Sequence, residues 1–220
     1  MSTQMAKSLR IIAEGLRMSA EGRAVTLHRY ADILESAASP PLSAPWVPPV
    51  GNAEYPPESW YCYTLHDVTG RRNRDDYPHT GGDFNLDIRP WGDVDVNQPV
   101  FCVTDGIVTD VGFSQRYRGG IVIKVDHFGI PLYIRYWHLK ESVSQRYTVG
   151  APVFAGEELG EIDIYPGGAA HCHIDMAWQP FKTNWWFNRH PEIEWANPAY
   201  ILKTHIDPDL VDAMMARGGD

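Results

Sequence analysis

Four histidines and one aspartate carry the chemistry that can be read from this chain. His79-Thr80-Gly81-Gly82-Asp83 lies upstream and His171-Cys172-His173 downstream, while Tyr136-Trp137-His138-Leu139 adds an imidazole at the end of a β-rich run. Imidazoles and a carboxylate in this pattern suit a zinc site with one coordination position left open. A water held there has a pKa of roughly 7, which makes hydroxide available at neutral pH. The combination reads as a hydrolytic zinc site.

The downstream pair is the most informative. In a strand, residues two apart share a face, so His171, His173 and Asp175 point one way. Cys172, Ile174 and Met176 then point into the core, and Cys172 reads as an apolar core residue rather than a ligand. Three ionisable groups on one face are unusual for a purely structural strand. His79 and Asp83 alone would fit a polar loop in which His79 caps a turn. Beside the downstream histidines, the two glycines before the carboxylate read as a bend that lets both side chains converge on one ion. His138 by itself fits a strand-end histidine bonded to backbone equally well. His66, His127, His190 and His205 lack a paired ligand context, with His127 in a turn, solvated or structural.

The elements that must position these groups fall into zones. Over residues 8–36, Leu9, Ile12, Leu16, Val25, Leu27, Tyr30, Ile33 and Leu34 recur at helical spacing, weakened by Gly15 and Gly22. Two short helices or one kinked helix follow, with a packing or partner-binding role. We place this helical segment at 1–38, and a proline-rich linker or surface strap at 39–58, where proline forbids regular helix or central strand. From 59 to 203 short β runs alternate with glycine turns. Asp105-Gly106 between Val100–Val103 and Ile107–Val111 is a hairpin signal, and Ala155-Gly156 separates Val153-Phe154 from Leu159–Ile162. His127-Phe128-Gly129 turns one apolar run into the next. The fold class is mainly β, an antiparallel β-sandwich or partly open barrel. An acidic tail, 204–220, ends in a short helix.

With 220 residues and 44% hydrophobic residues, the chain is long enough for one sizeable core. The formal net charge of −9 argues against nucleic acid as a partner, because phosphate neutralisation needs clustered Lys and Arg. Cys62, Cys102 and Cys172 are odd in number and widely spaced, which excludes a structural Cys–zinc cluster and favours buried free thiols. Residues 1–20 show no Sec-type signal peptide, and no run is long enough to span a bilayer.

The segment from about residue 78 to 178 resembles the lysostaphin/LytM-type zinc peptidases of bacterial cell-wall peptidoglycan. The resemblance rests on H-x-x-x-D at His79–Asp83, Y-x-H-L at Tyr136–Leu139 and H-x-H at His171–His173. The runs around Asp105-Gly106, Gly120–His127 and Val149–Gly160 are similar as well. It implies a duplicated-hybrid-motif-like catalytic domain with one Zn2+ per chain, held by His79, Asp83 and His173. His138 and His171 then activate water and stabilise the tetrahedral intermediate. Asp175 orients a histidine, and Tyr77 reaches the oxyanion. The implied activity is hydrolysis of peptidoglycan peptide crosslinks at the cell wall. The absent signal peptide fits a phage-encoded lysin, with a virion or other protein partner bound through the N-terminal helix. The alternative is a non-catalytic wall-binding or phage-tail module that keeps the fold. Gly82, Cys172 and Trp137 depart from the family pattern, which bears on groove shape rather than on ligand types.

Overall fold

A computed structural model describes residues 45–62, 66, 79–88, 92–166, 168–185, 190 and 192–216. The helical segment expected at 1–38, and Tyr77, lie outside the described residues. The chain is mainly antiparallel β: β1 (Trp60–Cys62), β2 (Gly81–Leu86), β3 (Pro99–Phe101), β4 (Gly106–Ser114), β5 (Arg118–His127), β6 (Ile130–Leu139), β7 (Pro152–Val153), β8 (Glu158–Glu161), β9 (Cys172–Ala177) and β10 (Trp195–Ala196). Among the described residues the α-helices are short: α1 (Ser142–Arg146) between β6 and β7, and α2 (Pro198–Lys203) and α3 (Pro208–Ala216) after β10. The main sheet runs β1-β2-β9-β6-β5-β4-β7 with β10 beside β9, and β3-β8 form a second sheet. The main sheet stays open rather than closing into a barrel.

Period-2 patterning places the core. Cys172, Ile174 and Met176 of β9 enter the main cluster with Phe84, Ile121, Ile123, Ile134 and Tyr136. Val122, Tyr133, Ala177, Phe181 and Trp195 form a smaller cluster. All three cysteines are buried free thiols. The β5–β6 hairpin follows its turn signal: Phe128 (φ 54°) and Gly129 (φ 86°) both take positive φ, the geometry that matches strand twist in a two-residue turn.

Two other expected hairpins are corrected. β3 does not pair with β4 across Asp105-Gly106, nor β7 with β8 across Ala155-Gly156. Instead β3 pairs with β8, and β4 pairs with β5 and β7. Both connections are arches that carry the chain from one sheet to the other, and they lie side by side. The Asp105 carboxylate accepts the Ala155 N–H (2.8 Å), and Cys102 exchanges backbone hydrogen bonds with Gly156 and Glu157. Gly106 serves close approach rather than a left-handed turn, since a Cβ there would lie 2.5 Å from Ile123 Cγ2.

The core also reaches beyond the 59–203 expectation on both sides. Val47 N–H donates to Val103 O, Pro49 O accepts from Phe101, and Val50 bridges Val100 with its side chain buried. The described part of the proline-rich segment is therefore a strap integral to the core. At the other end Val211 and Met214 of α3 are buried in the same cluster.

Candidate metal centre

β2, β9 and β6 lie side by side, and their register builds the site. Asp83 is the direct partner of His173, which is the partner of Trp137 on its other side. In the next row Gly81, Asp175 and Arg135 align in the same way. Opposite residues in an antiparallel pair share a face, so both rows look into one site. Gly81 and Gly82 do not bend the chain as expected from sequence, because both lie within extended β2. Their role is contact: a Cβ on Gly81 would fall 2.0 Å from Ile174 O, and one on Gly82 2.9 Å from Cys62 Sγ.

His79, Asp83 and His173 come together. Asp83 Oδ1 lies 3.1 Å from His79 Nε2 and 2.7 Å from His173 Nδ1, and the three ligand atoms fall within 4.8 Å of one another. Two imidazole nitrogens and one carboxylate oxygen match the donor set of a catalytic zinc with three protein ligands. Bonds of 2.0–2.1 Å imply ligand edges of roughly 3.3 Å: the two edges at Asp83 lie within about 0.6 Å of that, and the three atoms, within 4.8 Å of one another, would draw together around the ion. The residues present fit zinc.

The surroundings tune these ligands. Burial alone would raise the Asp83 carboxyl, but the charges of His171 and His79 and hydrogen bonds from His173 and His79 hold it well below its usual range. Burial alone would lower His173, but Asp175 and Asp83 together push it up to about 9, so a cation entering here displaces a proton. His173 Nε2 sits 2.8 Å from Asp175 Oδ1. Asp175 is itself held by Thr80 Oγ1 and by Arg135, whose Nε and Nη2 approach Oδ2 at 2.6 and 2.5 Å. Arg135 is wholly buried, donates to the carbonyls of Lys182, Thr183 and Trp185, and lies 3.9 Å over the Trp137 ring.

His138 and His171 flank the ligands. Their rings are 4.6 Å apart, and His138 is 5.9 Å from His173. His138 reaches the site through a bulge: Gly119 pairs with Leu139 and Gly120 with Trp137, leaving His138 unpaired at φ 65°. The bulge turns His138 toward the same side as its neighbour Trp137, on which it stacks (5.5 Å, 9°). A non-glycine residue held in left-handed backbone stores strain of the kind found at functional sites. His138 Nδ1–H donates to Tyr117 O (3.0 Å), and His171 Nδ1–H to Ala169 O (2.8 Å). Each ring therefore turns its Nε2 to the site, that of His171 lying 3.4 Å from Asp83 Oδ1. Burial, then the charges of His171 and His173, holds His138 well below the usual histidine range, so it is a neutral acceptor.

Sequence reasoning missed Arg135, Thr80 and Tyr165. Arg135 carried a signal, a charge inside the apolar run Leu132–Trp137, which burial tolerates only when paired. Tyr165 lies in the loop before β9, with its ring 4.1 Å from His138 and 5.2 Å from His171. Of the other histidines, His66 meets Thr80 O at 2.8 Å, and His190 stacks on Trp185. His127 is fully buried rather than solvated, 2.7 Å from His205 Nε2.

No protein-family model matches the chain, nor does any curated protein by sequence. Solved structures do resemble it. One is a zinc-containing peptidase from Vibrio cholerae (18% identity, TM-score 0.43), matched over 61% of this chain and 37% of that one. Another is a putative glycyl-glycine endopeptidase lytM from Ruminococcus gnavus (20%, TM-score 0.48, 74% and 61%). Lysostaphin is a third (19%, TM-score 0.43, 66% and 49%). The chain thus spans less than two thirds of the length of each of these three. The reading of the site rests on its own residues.

Proposed function

We propose that the chain is a zinc-dependent endopeptidase that hydrolyses peptide crosslinks of bacterial peptidoglycan. The observation that carries the reading is the convergence of His79 Nε2, Asp83 Oδ1 and His173 Nδ1 beside two further imidazoles with their Nε2 atoms left for the site. Zinc held by these three residues would supply a Lewis acid for the scissile carbonyl and a water of lowered pKa.

The protein's own groups do the rest. His138, neutral and fixed in one tautomer, accepts a proton at Nε2 from the attacking water. His171, its Nδ1–H tied to Ala169 O, presents Nε2 from beside the His138 ring; when protonated, it stabilises the developing oxyanion and returns a proton to the leaving amine. Asp175 and Arg135 keep the His173 ring in place through the turnover. The peptidoglycan assignment rests on the motif resemblance of His79–Asp83, Tyr136–Leu139 and His171–His173.

The test joins metal analysis with digestion of purified sacculi. One zinc per chain and new amine termini from the crosslinks are the expected results. A metal-free protein under zinc-replete conditions, or zinc-loaded protein that releases no amines from any wall type, would reject the reading.

A further inference from the structure

A second polar cluster lies in the turn between β2 and β3 and takes no part in the site above. Asp95 is 1% exposed, and its Oδ1 is buried without a hydrogen-bond partner. Its Oδ2 has a long contact, 3.5 Å, to Asn85 Nδ2. Asn85 Oδ1 is likewise buried without a donor. Asp93, two residues before Asp95, completes the group, with its Oδ1 accepting the Ala170 N–H (3.0 Å). Among the described residues no lysine, arginine or histidine pairs with either carboxylate. A buried acceptor left unsatisfied costs about 1–3 kcal/mol, and more when it carries charge. Two such oxygens beside a second carboxylate form an arrangement that needs positive charge.

We propose that Asp93, Asp95 and Asn85 form a binding site for a hard divalent cation, calcium foremost. The donors are carboxylate and amide oxygens alone, without nitrogen or sulfur, which selects against zinc and for calcium or magnesium. Two carboxylates match a double positive charge. Burial and then the nearby Asp93 raise the Asp95 carboxyl to about 7, which shows how poorly this pocket tolerates its anion uncompensated. The cluster also grips Ala170 at both ends, because Asn85 Nδ2 donates to its carbonyl (2.9 Å) while Asp93 takes its N–H. Ala170 immediately precedes His171, so an ion here would steady the backbone that presents that imidazole.

The experiment uses the full chain saturated with zinc, titrated separately with calcium and magnesium, and reads calorimetric heat and the thermal midpoint. One saturable site is expected, with the midpoint rising roughly 5–10 °C at a hundredfold excess over Kd. Asp95→Asn, which keeps the shape and removes the charge, should abolish the rise. Asp93→Asn, at an exposed position, should weaken binding tenfold or more even if the Asp95 variant folds poorly. His173→Ala should leave the calcium response intact, which separates this site from the zinc ligands and from the hydrolytic reading. A wild-type midpoint unmoved by both ions overturns the proposal. So does a response that survives in Asp93→Asn and Asp95→Asn. In either case the buried carboxyl is held by a proton instead.

Discussion

His173 serves two partners at once, with Nδ1 turned to Asp83 and Nε2 to Asp175. Replacing it by alanine should therefore remove zinc, measured as metal content after gel filtration. His138→Ala should keep zinc and lose turnover by about a hundredfold or more, because it removes a proton acceptor and no ligand. Equal metal loss in both variants would refute the division of roles. Asp175→Asn tests the support behind the ligand. Zinc affinity should fall by roughly 10–100-fold, as when a carboxylate behind a metal-bound histidine is lost. The same change strands the Arg135 guanidinium in the interior, so denaturant titration should show a loss of about 3–5 kcal/mol. A variant with weaker zinc and full stability would mean that Arg135 finds another anion.

In the row Asp83–His173–Trp137, β2, β9 and β6 turn chain positions 90 and 36 residues apart into neighbours, and the glycines set how closely they pack. Gly81→Ala should drive β2 away from Ile174 and separate Asp83 from its register partner. A stability loss of about 1–3 kcal/mol together with weakened zinc binding is expected, whereas unchanged zinc affinity would show that the strands can shift freely. The same elements show what the sequence makes visible. The grouping of His79, Asp83 and His173 was implied by the motif resemblance, whereas strand spacing by itself put only His171, His173 and Asp175 on a common face. The β5–β6 hairpin was readable because its turn needs positive φ at Phe128 and Gly129. Asp105-Gly106 misled for a corresponding reason: a local turn signal carries no information on which sheet receives the next strand. Gly81 and Gly82 looked like a bend because a glycine required for close approach and one required for a turn are the same letter. The bulge at His138 also escaped notice, since it depends on Gly119 and Gly120 across the sheet.

At the scale of the molecule, strap, sheet and C-terminal helices meet at an imidazole pair, His127 buried and His205 partly so. His127 at the end of β5 contacts His205 between α2 and α3, and Trp46 of the strap stacks on His205 at 4.0 Å. Burial lowers His127 to about 4, and burial with the neighbouring ring lowers His205 to about 3. Unfolded histidines titrate near 6.5, so between pH 6.5 and 4 the unfolded chain binds more protons and stability rises with pH. The contribution is whole above 6.5 and drains away as pH falls through that window. Thermal midpoints across it should show a steep slope for the wild type and a shallower one for His205→Gln, whose amide oxygen can still accept from His127. Identical slopes would exclude the pair as a source. The three sealed thiols offer a clock for larger openings. Burial raises all of them, Cys102 to about 12, so none reacts while the fold is closed. Cys172 lies on the back of the strand that carries His173, and its alkylation therefore counts the moments when that strand parts from β2. Zinc should lengthen the interval between those moments, so modification by an ordinary thiol reagent can report metal occupancy without any substrate at all.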